Sequence, residues 1–84
     1  MTKKEYITEE IEKTEGAIKS LEDELSRLVK YAHRELDDIS AEGGASSAKN
    51  VTTYMIRVTE LCKQIEVMKW TLYLLKTAVE GMNA

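Results

Sequence analysis

Glu42-Gly43-Gly44-Ala45-Ser46-Ser47 is the stretch that decides the fold. It is the one strong break in an 84-residue chain that has no proline. Before it, Ile7, Ile11, Thr14, Ile18, Leu21, Leu25, Leu28, Ala32, Leu36 and Ile39 recur in steps of three and four. After it, Val51, Tyr54, Val58, Leu61, Ile65, Met68, Leu72, Leu75, Val79 and Met82 do the same. Only Thr14 interrupts the apolar character. This period lays one continuous apolar stripe along each of two long helices. A glycine pair between equal helices turns the chain back on itself, so the helices are antiparallel neighbours. The fold class is therefore all-α, a coiled-coil-like helical hairpin. It reads as a single domain over 1–84, with a helix over 3–41, a loop over 42–48 and a helix over 49–81.

Local signals agree with these bounds. Thr2 is placed to cap the first helix, with Glu5 three residues on. Glu5, Glu9, Glu10 and Glu12 crowd its first turns, where the helix dipole favours negative charge. Gly16 lies mid-ladder and costs about 1 kcal/mol against alanine. Gly43 is the expected left-handed cap at the end of that helix. Ser46, Ser47 and Asn50 are the candidate caps for the second helix. Folding about Gly44 and Ala45 sets Ile39 near Val51, Leu28 near Leu61, Leu21 near Met68, Ile11 near Val79 and Ile7 near Met82. Two ladders read independently thus agree on one turn.

The charge is −3 overall but unevenly split. Residues 1–42 hold 7 Lys/Arg and 12 Asp/Glu, a net of −5; residues 43–84 hold 5 and 3, a net of +2. Opposite signs suit antiparallel pairing of the halves, although exposed pairs stabilise weakly. The small net charge argues against direct nucleic-acid binding. The first fifteen residues are charged and do not read as a signal peptide. Trp70-Thr71-Leu72-Tyr73-Leu74-Leu75 is far shorter than the ~18 apolar residues of a membrane span. Cys62 is the one cysteine, so no internal disulfide forms. The expectation is a soluble cytoplasmic protein.

The stripe is wider than two helices need. Val29 and Leu36 flank the first ladder, and Met55 and Cys62 flank the second. A seam of three to four apolar positions per two turns suits a bundle. These four residues are the candidate self-assembly positions, and a homodimer forming a four-helix bundle is expected. Val67, Trp70 and Leu74 lie on the side of the second helix away from its ladder, with Tyr73 beside them and Ile56 further up. A contiguous exposed patch holding the only tryptophan reads as a binding surface. Val67, Trp70, Tyr73 and Leu74 are therefore the candidate interaction residues, offered to a further protein partner.

Nothing in the chain names a reaction. His33 stands alone with Asp37 four residues on, short of the three or four ligands of a metal site. Glu35, Asp37 and Asp38 read as a solvated acidic face. Cys62 has no histidine or other base within a turn and reads as a buried, inert thiol. Gly43-Gly44 lacks the lysine and spacing of a phosphate loop. Lys63, Lys69 and Lys76 read as a solvated helix face rather than a phosphate-binding stripe. The chain is read as no enzyme, with no catalytic residue, cofactor or metal ligand.

Met1-Thr2-Lys3-Lys4-Glu5-Tyr6-Ile7, then a long helix, the break Gly43-Gly44-Ala45-Ser46-Ser47 and a second long helix, resembles the N-terminal part of small phage and prophage sigma-factor-like regulators of the ArpU-like kind. In that family a DNA-binding helix-turn-helix follows; the present sequence stops at Ala84 without one, so DNA binding is not carried over. The reading is thus a non-enzymatic helical interaction and assembly module of phage or mobile-element type. One alternative is a regulator fragment or antagonist acting on transcription machinery. Another is a helical-bundle ligand or metal binder.

Overall fold

Two helices, α1 over Lys3–Glu42 and α2 over Ala45–Asn83, run antiparallel in a computed structural model that describes residues 1–42 and 45–83. Side chains of residues 40–46 are outside that description. So are the expected cap at Gly43, the turn glycine Gly44 and the capping side chain of Ser46. The molecule measures 62 × 15 × 15 Å, two helices wide and one hairpin long.

The start of α1 follows from its sequence. The backbone N–H of Glu5 donates to Thr2 Oγ1 at 3.1 Å, and the N–H of Tyr6 donates to the Thr2 carbonyl at 3.0 Å. Both satisfy donors that a helix N-terminus leaves open. The start of α2 differs from expectation. It begins at Ala45 rather than near residue 49, so Ser47 and Asn50 are helical rather than capping. Ala45 and Ala48 are strong helix formers, and no proline stops the first turn. Similarly, α2 runs through Gly81 to Asn83, whose side chain accepts a hydrogen bond from Lys4 Nζ. That bond ties the last turn of α2 to the first turn of α1.

The ladders form the seam. Ile18, Ala32, Leu61 and Ile65 are buried, and Leu61 is fully enclosed. The rest of the ladder is half-buried, except Leu36 and Met82, which are exposed. Thr14 fits the seam because its hydroxyl donates to the Glu10 carbonyl at 2.7 Å, leaving no unpaired polar group against the apolar stripe. Between Ala32 and Ile39 the seam passes through half-buried Glu35 and turns Leu36 outward to 46% exposure. Glu35 is held there by Asn50, whose side-chain amide donates to it at 3.2 Å.

Cross-helix pairs report the alignment. Tyr31 and Tyr54 meet at a tilt of 44° with centroids 6.2 Å apart, Arg57 pairs with Glu24, Lys69 with Glu22 and Lys76 with Glu15. The residue numbers in the cross-helix polar and aromatic pairs sum to between 81 and 91. The ladders alone put that sum at 89 or 90, so the turn position read from sequence is borne out to within about half a heptad.

Candidate interaction surface

α2 carries two apolar faces. Leu61 and Trp70 are nine residues apart, two and a half helical turns, and so point to opposite sides. Leu61 lies in the seam; Trp70 stands 62% exposed on the outside. Val67, Tyr73 and Leu74 are exposed to a similar degree around it, and Ile56 extends the patch toward the turn. The structure therefore brings the four expected interaction residues onto one outward face. Trp70 and Tyr73 meet edge to face, with centroids 6.0 Å apart and planes at 88°. That contact pairs the two rings while leaving both largely exposed. Val67 and Leu74 lie on one side of Trp70, and Tyr73 on the other.

An open groove of about 630 Å³ runs beside this face, between the two helices. Its apolar walls are Leu25, Ile65, Trp70 and Tyr73, and Glu22, Glu66 and Lys69 line it with charge. Cys62 lies in its wall and is exposed. This corrects the expectation of a buried thiol. Cys62 follows Leu61 by one residue, about 100° around the helix, which turns it from the seam to the rim.

The expected self-assembly residues share that edge. Val29, Leu36, Met55 and Cys62 are all exposed in the hairpin. On α1, Leu36 and Val29 continue at seven-residue steps into Glu22 and Glu15. On α2, Met55 and Cys62 continue into Lys69 and Lys76. At the far end this row closes as Lys69–Glu22 and Lys76–Glu15 ion pairs, each 3.8 Å. Lys63, Lys69 and Lys76 are all exposed, as expected, but not on one face: Lys69 and Lys76 lie on the edge toward α1 and Lys63 does not. The heptad step linking Glu15 and Glu22 to Val29 and Leu36 was the signal in the sequence for this row.

The opposite edge is polar. Arg57 pairs with Glu24 at 3.1 Å and with Glu60 at 3.2 Å. Hydrogen bonds to Glu24 and then Glu60 raise the Arg57 pKa above its ordinary value. In every cross-helix ion pair described, the acid belongs to α1 and the base to α2. This is the charge asymmetry of the two halves put to use.

His33 is exposed, as are Asp37 and Asp38, while Glu35 is drawn to the seam by Asn50. Among the described residues no three His, Cys, Asp or Glu side chains converge as metal ligands. No described helix is long and apolar enough to cross a membrane.

By architecture the chain is a two-helix hairpin with a second apolar face on one helix. No protein-family model matches it, and comparison with curated proteins and with solved structures gives no match.

Proposed function

We propose that this protein is a non-enzymatic helical interaction module that self-associates, pairing hairpins into a four-helix assembly. One observation carries the reading. The outer face of α2 exposes Val67, Trp70, Tyr73 and Leu74 together, on a helix whose inner face already supplies the hairpin seam. A helix apolar on both sides is built to be covered on both sides. The row of Val29, Leu36, Met55 and Cys62 adds apolar area along one edge. The ArpU-like opening at Met1–Ile7 supports a setting among phage or mobile-element proteins.

Sedimentation equilibrium tests the reading. The chain mass is 9.5 kDa, and a solution mass of twice that is expected at micromolar concentration. A single-chain mass at every concentration would overturn self-association.

A further inference from the structure

We propose that the outer face of α2 is covered by the same face of a second copy, packed antiparallel about a two-fold axis midway between Lys63 and Glu66. This rests on the self-association proposed above and names the surface, orientation and alignment that perform it.

α2 carries eight charged side chains. Arg57, Glu60, Lys69 and Lys76 have ion-pair partners within the hairpin. Lys49, Lys63, Glu66 and Glu80 have none among the described residues. These four fall on the outer face in a heptad pattern. Lys49, Ile56, Lys63 and Trp70 recur at seven-residue steps. Thr59, Glu66, Tyr73 and Glu80 follow each of them, in turn, three residues after the next step. This is the spacing of a helix–helix seam.

In an antiparallel seam the first set of one helix meets the second set of the other. One alignment satisfies all four charges: Lys63 meets Glu66 of the second copy, and Lys49 meets Glu80. The same alignment sets Ile56 against Tyr73, Thr59 against Trp70 and Thr52 against Thr77. Sliding the partner one heptad either way puts Glu66 against Ile56 or against Trp70. A parallel pairing in register puts Lys63 on Lys63 and Glu66 on Glu66. Both alternatives oppose like charges or bury a charge against an apolar group.

The threonines are ready to be covered. The hydroxyls of Thr52, Thr59 and Thr77 donate to the carbonyls of Ala48, Met55 and Tyr73 at 3.2, 2.9 and 2.9 Å. With its hydroxyl satisfied by its own helix, each is buried without an unpaired polar group.

The test uses the full chain with two charge variants, Lys63→Glu and Glu66→Lys, in sedimentation equilibrium. Each alone turns two cross-copy attractions into repulsions and is expected to raise the dimer dissociation constant about ten-fold or more. Mixed one to one, the two variants present opposite charges and are expected to recover native affinity. As an independent check of orientation, Thr52→Cys and Thr77→Cys are each made with Cys62→Ser. Oxidation is expected to cross-link the mixture and neither variant alone. A dimer indifferent to both charge changes, uncross-linked in the mixture and dissociated instead by Leu36→Asp, overturns this pairing while keeping the self-associating module. A monomer at every concentration overturns both.

Discussion

α1 and α2 are nearly equal in length, and each lends one apolar stripe to the same seam, yet they finish differently. The outward side of α1 is charged, with Glu9, Glu12, Asp23 and Lys30 all exposed. The outward side of α2 holds Ile56, Val67, Trp70, Tyr73 and Leu74. Pairing with α2 covers most of the apolar stripe of α1 and leaves Val29 and Leu36 exposed at its edge. Pairing with α1 leaves a whole apolar face of α2 exposed. The lesson is that a shared seam says how two helices pair, whereas the remaining faces say whether the pair is the finished unit.

Substitutions on the two faces of α2 are expected to have separate effects. Leu61→Ala removes the most enclosed side chain of the seam. It is expected to lower unfolding stability by about 2–5 kcal/mol, read from urea denaturation. Trp70→Ala acts on the other face. It is expected to weaken dimerisation while the far-ultraviolet circular dichroism keeps its helical form. A collapse of helicity in that variant would make Trp70 part of the hairpin's own support and erase the distinction between the faces.

Smaller effects are expected from α1. Gly16 lies inside the helix, and a Cβ built there meets nothing within 4 Å. Gly16→Ala is therefore expected to raise stability by about 0.5–1 kcal/mol, seen as a higher thermal midpoint. Glu24→Gln removes the negative charge opposite Arg57, whose side chain is 39% exposed, while keeping an acceptor oxygen. A small loss of stability is expected, shrinking as salt is added. A loss that persists at high salt would show that this edge is covered by something beyond the hairpin.

Much of this was legible in the sequence because it depends on local spacing. Period places Leu61 and Trp70 on opposite sides of a helix whatever surrounds it, and Thr2 caps α1 through groups three and four residues away. Other features are not local. Cys62 adjoins the ladder residue Leu61 and is one step off the stripe, but the groove it borders is made by residues of both helices, Leu25 and Glu22 among them. Lys63 and Lys69 already lie about 120° apart around the helix, but that Lys69 finds a carboxylate depends on where Glu22 sits across the seam.

By itself, then, the sequence determined the two helices, the site of the turn, the alignment to about half a heptad and the surplus apolar face of α2. Each follows from period and from where glycine falls. The tertiary structure decided which residues share an edge: Glu35 inward with Asn50 and Leu36 outward, Lys69 and Lys76 paired across the seam, Lys63 and Glu66 without an ion-pair partner among the described residues. Those choices depend on the rotation of both helices at once, which is set by packing two surfaces together and not by either strip of residues alone.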